Sequence, residues 1–209
     1  MELTNKKIVF LGDSITEGVG ASSYEKCYVA QFAAATGAVV RNYGICGTRF
    51  ARRRVPYSNP SFDRDFCGRV QDMDDDADIV VVFGGTNDYG HGDAPLGNMW
   101  DRDVWSFYGA CHVLFSGLIA KYPDKPIIIM TPMHRLTELD KTPNLREFVR
   151  AEREVAEFYS LPVLDLWAKL GIQPLVPEQK ALYFADMVHP NDNGHKKIAY
   201  TLKRFLENL

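Results

Sequence analysis

Five short apolar runs, rich in branched side chains, recur along the chain and constrain its fold more than any other feature. They are "IVFLG" (8–12), "AVVRNYG" (38–44), "DIVVVFGG" (78–85), "PIIIMTP" (126–132) and "LPVLDL" (161–166). Most are nearly continuous rather than alternating, which marks strands buried on both faces, as in a parallel sheet. The stretches between them are long enough for helices. The spacing predicts helices over 23–37, closed by Gly37, over 100–124, over 144–160, and over 191–209 with Asn191 or Asp192 as cap. Strands alternating with helices imply right-handed crossovers and a three-layer α/β/α sandwich around a central five-stranded parallel sheet. At 209 residues the chain suits one domain, 1–209, and neither a repeat nor a linker interrupts it. The irregular zone 47–77 reads as a long loop with short helices.

Composition narrows the partners. A net charge of -3 gives nucleic acid no electrostatic support. No run approaches a membrane span, and Ile8–Leu11 is far too short for a signal-peptide core. The four cysteines, Cys27, Cys46, Cys67 and Cys111, fit no zinc spacing and read as reduced thiols, so the expected compartment is the cytoplasm. The five histidines show no metal-ligand spacing, and the expectation is no metal and no cofactor.

In a parallel α/β sheet the C-terminal strand ends open on one edge, where ligands bind. Strand one delivers Asp13 and Ser14, strand two "NYGICGTR", strand three "GGTNDYGHG", strand four "TPMHR", and "FADMVHPNDNGH" precedes the last helix. A serine hydroxyl needs a base, which His189 can supply, and the base needs an orienting carboxylate, which Asp186 can supply from three residues away. An oxyanion needs aimed donors. The N–H of Ser14, that of a glycine after strand two and the amide of Asn87 provide three. Spacing does not choose between Gly44 and Gly47.

These blocks, "GDSIT", "NYGICG", "GGTND" and "DMVHP", together resemble the SGNH hydrolases, also called GDSL esterases and lipases. The resemblance runs in order from Gly12 to Pro190, with Ile15 in place of the usual leucine. It implies the flavodoxin-like SGNH fold and assigns Ser14 as nucleophile, His189 as base and Asp186 as triad acid. It places the oxyanion hole at Ser14, Asn87 and Gly47, the glycine five residues after Asn42. The expected reaction is hydrolysis of a small-molecule carboxylic ester through an acyl-enzyme, with a short acyl group such as acetyl on a carbohydrate. The absence of a long apolar lid favours that over long-chain fats. Within the family, a lysophospholipase, thioesterase or acyltransferase is the alternative. A non-catalytic binding protein is the rival of another class, and its expected mark, a missing triad member, is not seen.

The remaining polar residues divide into support and contact. Asp13 is expected to hold its turn by accepting N–H bonds, Asp88 to shape a turn, and Gly44 to serve close packing. Candidate substrate contacts are Arg49, Tyr89, His91 and His134, all near the active edge, with Tyr57, Trp100 and Trp105 in or near the mouth loops. The arginines at 49 and 52–54 otherwise read as a solvated face paired with the acidic run 72–78. His112 reads as core or interface, and His195, six residues past His189, as surface.

Overall fold

A computed structural model describes residues 1–209, apart from the side chains of Ser61 and Phe62. The chain runs β1 (Lys7–Gly12), α1 (Ser14–Glu17), α2 (Tyr28–Thr36), β2 (Val39–Gly44), α3 (Phe66–Arg69), β3 (Ile79–Phe83), α4 (Thr86–His91) and α5 (Phe107–Lys121). It continues with β4 (Ile127–Met130), α6 (Leu145–Phe158), β5 (Val163–Leu164), α7 (Leu166–Lys169), α8 (Pro177–Tyr183) and α9 (Asp192–Glu207). All strands pair in parallel in the order β2-β1-β3-β4-β5.

Alternate residues of each central strand point to opposite faces, and each face has its own core. Val9, Leu11, Val80, Val82 and Ile129 pack with Phe107, Leu114 and Phe115 of α5 and Val155 of α6. Ile8, Phe10, Val81, Ile128 and Met130 pack with Tyr28 and Phe32 of α2 and Ile198 and Leu202 of α9. Two apolar faces per strand explain why the runs do not alternate. Edge strand β2 is the exception: Val39 is exposed, and Arg41 pairs with Asp74 at the surface.

All five expected strands form, and the helices differ at their ends. The region 100–124 becomes helical only at Phe107, because an Asn98–Asp101 turn takes up its start and Ser106 caps α5 by accepting the N–H of Gly109. The 23–37 stretch opens with a 3₁₀ turn over Tyr24–Lys26, and Gly37 ends α2 at φ 71°. Asn191, not Asp192, caps α9. The arginines of 49–53 do not pair with the acidic run. Arg49, Arg52 and Arg53 meet Asp63, Asp65 and Asp93, while Asp72, Asp74, Asp75 and Asp76 pair with Arg64, Arg41, Lys121 and Lys7.

Glu152 of α6 is fully buried, and neither carboxyl oxygen meets a hydrogen-bonding group among the described residues. Burial, with the Asp88 charge nearby, pushes it well above the ordinary glutamate value of 4.5, so it stays protonated where free glutamates are charged. The folded state therefore holds a proton that the unfolded chain releases. The contribution of Glu152 to stability is greatest below pH 4.5 and falls as pH rises toward the folded-state value. Glu152→Gln is neutral at every pH. Its Tm should exceed that of the wild type at alkaline pH, with the gap closing toward pH 4.5. A pH-independent Tm difference would show that the carboxyl does not titrate in this way.

Candidate active site

Strand register brings the key turns together. Gly12 of β1 lies between Gly44 of β2 and Phe83 of β3, so the three chains leave the sheet side by side. Here β1 has neighbours that run on in opposite directions through the sequence, the switch point at which open α/β sheets bind ligands.

The turn after β1 is held by Asp13. Its carboxylate accepts the Ile15 N–H at 2.9 Å and caps α1, which leaves Ser14 at the first helical position. Burial pushes Asp13 up to about 7 against the pull of the Ile15 N–H. Ser14 Oγ lies 2.9 Å from His189 Nε2, and His189 Nδ1 lies 2.7 Å from Asp186 Oδ2. Asp186 Oδ1 also accepts the N–H groups of Val188 and His189, each at 2.7 Å. Partial burial works against the Asp186 charge, but these N–H groups and the imidazole outweigh it and hold the carboxyl below its usual range. With Nδ1 donating to Asp186, the Nε2 lone pair faces the Ser14 hydroxyl, the arrangement a general base needs.

Gly47, in the loop after β2, has φ 75°, a region that glycine enters without strain. Among the described residues neither the Ser14 nor the Gly47 N–H meets an acceptor. The Asn87 amide donates one hydrogen to Thr48 O at 3.0 Å, which orients it and leaves its second hydrogen. Asp88 shapes this turn by accepting the N–H groups of Phe50 and Ala51 at 3.0 and 2.8 Å. Gly44 is packed so closely that a Cβ there would lie 2.1 Å from the Glu17 nitrogen.

The candidate contacts fare differently. Tyr89 is buried, with its ring against Phe148 and beside the Arg135 guanidinium, and its hydroxyl donates to Thr137 O, so it offers no surface to a substrate. Arg49 is only 2% exposed, not a solvated side chain; its guanidinium donates to Gly47 O at 3.0 Å and pairs with Asp63, bracing the glycine loop from inside. His91 Nδ1 meets the Tyr57 hydroxyl at 2.9 Å, and burial beside Arg49, Arg53, Arg135 and Lys141 lowers it to about 4. His134 Nδ1 meets Glu138 Oε2 at 2.8 Å, and its ring lies 3.8 Å from that of Trp167. Trp100 and Trp105 are exposed.

Other residues hold the site that no motif announces. Buried Arg69 of α3 donates to Gly12 O at 3.1 Å, to Thr48 Oγ1 at 2.9 Å and to Tyr43 O, tying the ends of β1 and β2 to the Gly47 loop. Asn42 joins β2 to the serine helix by donating to Thr16 O at 2.7 Å. His195 is fully buried rather than at the surface: it accepts the Tyr28 N–H and donates to Val19 O, both at 3.2 Å. It belongs to the buried stripe 195, 198, 199, 202 and 206 of α9, a helical period that could have revealed it. Gly20 completes this seam, since a Cβ there would lie 2.2 Å from Pro190 O and 3.0 Å from His189 Cβ. His112, in the core, bonds Met99 O and Tyr159.

Among the described residues no three His, Cys, Asp or Glu side chains gather as a metal site, and no helix is long and apolar enough to cross a membrane.

The chain matches the GDSL-like Lipase/Acylhydrolase family over residues 10–197. Two solved structures share 32% identity with it. One covers 100% of this chain and 99% of its own, with a TM-score of 0.87. The other, a protein from Lactobacillus plantarum, covers 99% and 98%, with a TM-score of 0.85. A lipase/acylhydrolase from Enterococcus faecalis, 22% identical over 97% of this chain and 96% of its own, shares the fold at a TM-score of 0.66. No match is found among curated proteins. The match over nearly the whole length, on a five-stranded parallel sheet with helices on both faces, makes this chain a member of the GDSL-like lipase/acylhydrolase family and an SGNH hydrolase of ester bonds.

Proposed function

We propose that the protein is a serine esterase in which Ser14 is the nucleophile, His189 the general base and acid, and Asp186 the carboxylate that orients the imidazole. The observation that carries this reading is the continuous relay from Ser14 Oγ to His189 Nε2 at 2.9 Å and from Nδ1 to Asp186 at 2.7 Å. Ser14 Oγ attacks the ester carbonyl carbon while its proton passes to Nε2. The tetrahedral oxygen accepts hydrogen bonds from the N–H groups of Ser14 and Gly47 and from the second amide hydrogen of Asn87. Nε2 then gives its proton to the departing alkoxide, leaving the acyl group on Ser14. Water, deprotonated by His189, reverses the sequence and releases the acid. No step requires a cofactor.

The substrate is proposed to be a small ester with a short acyl chain, such as acetyl on a carbohydrate. The polar groups beside the two loops support this: Arg49 and Tyr57 meet His91 near Gly47, and Asp186 stands with His189. A panel of 4-nitrophenyl esters from acetyl to palmitoyl, run beside acetylated sugars, tests it. The highest kcat/KM is expected at the shortest acyl chains. A maximum at long chains would replace this substrate class with a lipid one.

A further inference from the structure

Arg135 follows β4 in "TPMHR", on the active edge of the sheet. Its guanidinium is fixed along one side. Nε donates to Thr137 Oγ1 at 3.0 Å, and Nη1 donates to Thr86 O and Thr86 Oγ1, each at 3.2 Å. Thr86 immediately precedes Asn87. The next residue along, Leu136, donates its N–H to Met187 O at 3.0 Å, inside the loop that carries Asp186 and His189. Arg135 therefore stands between the Asn87 turn and the histidine loop.

On its other side the guanidinium lies 5.5 Å from the Tyr89 ring, and Nη2 would be 3.6 Å from a Cβ at Gly90. Among the described residues nothing accepts from Nη2, and no carboxylate lies within 4.0 Å of the side chain. Arg49, Arg52 and Arg53, on the neighbouring loop, each have an aspartate partner. A half-buried guanidinium loses hydration, and burial is the main influence lowering the Arg135 pKa from its ordinary value. Such a cation gains most when an anion arrives. Arg49, Arg53 and Lys141 add positive charge at His91 beside Arg135, while the carboxylates of Asp140, Asp186 and Asp13 act on Arg135 from beyond ion-pair distance and leave its Nη2 donors free.

We propose that the ester cleaved at Ser14 carries a second, anionic oxygen group, a carboxylate or a phosphate, received by the two N–H donors of Arg135 Nη2 that no protein acceptor takes up. Nε and Nη1 are already committed to threonine oxygens, so the plane of the fork is set before substrate binds and little side-chain freedom is lost on binding. Arg135 is thus a specificity residue, and this role rests on the assignment of Ser14 as nucleophile.

The test is a ratio of kcat/KM values measured on one enzyme preparation. On the acyl side, 4-nitrophenyl hemisuccinate is compared with 4-nitrophenyl butyrate. On the alcohol side, 3-acetoxybenzoate and 3-acetoxyphenyl phosphate are each compared with phenyl acetate. At least one anionic ester should be preferred by roughly tenfold or more, the worth of one charge-assisted hydrogen bond. Whichever ester is preferred identifies the carboxylate or the phosphate and the side it occupies. Arg135→Gln should bring that ratio to about one, and any damage it does to shared machinery cancels in the ratio. If the glutamine variant does not fold, Arg135→Lys and a salt titration of the wild type take its place, and the preference should weaken in both. The proposal is overturned if neutral esters are cleaved with no preference for any anionic one, or if the preference survives these changes. Failure to cleave any ester, with no fluorophosphonate label on Ser14, would instead remove the nucleophile assignment on which the role of Arg135 depends.

Discussion

Ser14→Ala will lower kcat for 4-nitrophenyl acetate by roughly 10⁶-fold, the scale at which removing a serine nucleophile leaves only binding and oxyanion stabilisation. The loss is chemical rather than structural. Ser14 Oγ meets His189 Nε2, whereas its turn is held by Asp13 through the Ile15 N–H, and the alanine variant keeps that cap. Its Tm should therefore stay close to that of the wild type. Labelling by a fluorophosphonate, followed by intact mass, should disappear with the hydroxyl. An alanine variant that still takes the label would move the nucleophile elsewhere.

Asn87→Ala is expected to cost about 10²- to 10³-fold in kcat with KM little changed. A donor aimed at a developing oxyanion acts mainly in the transition state, so its loss appears in turnover rather than in binding. The amide is already anchored on Thr48 O, so its second hydrogen needs no reorganisation when charge forms. The same substitution leaves Thr48 O without that partner in a buried setting and should lower stability by about 1 kcal/mol. Asn87→Asp keeps the shape but replaces the donor with an acceptor, and it should lose at least as much turnover. An unchanged kcat in both variants would take Asn87 out of the oxyanion hole.

The strands were legible because burial on two faces leaves an unbroken apolar run, which no loop or surface helix needs. The candidate site is legible for a related reason. Once those runs are strands of a parallel sheet, Ser14, Gly47 and Asn87 follow three neighbouring strand ends, and "DMVHP" precedes the last helix. Where sequence position misleads, the partner is out of view. Tyr89 follows the active edge in sequence, yet its ring turns back onto Phe148. His195 reads as surface from its distance to His189, although the helical period of α9 points it into the core.

Apolar periodicity and short polar turns are local properties, and they carry the α/β/α architecture and the residues at its open edge. The supports of that edge are of another kind. Arg69 reaches Gly12 O across 57 residues of chain, His195 reaches Val19 O across 176, and Arg135 reaches Thr86 across 49. Each joins a side chain to a distant backbone or hydroxyl oxygen. Almost every residue offers such an acceptor, so nothing local singles out the partner. Which oxygen an arginine or histidine meets is settled when the layers pack, because a buried donor must then find an acceptor or lose its hydration without return.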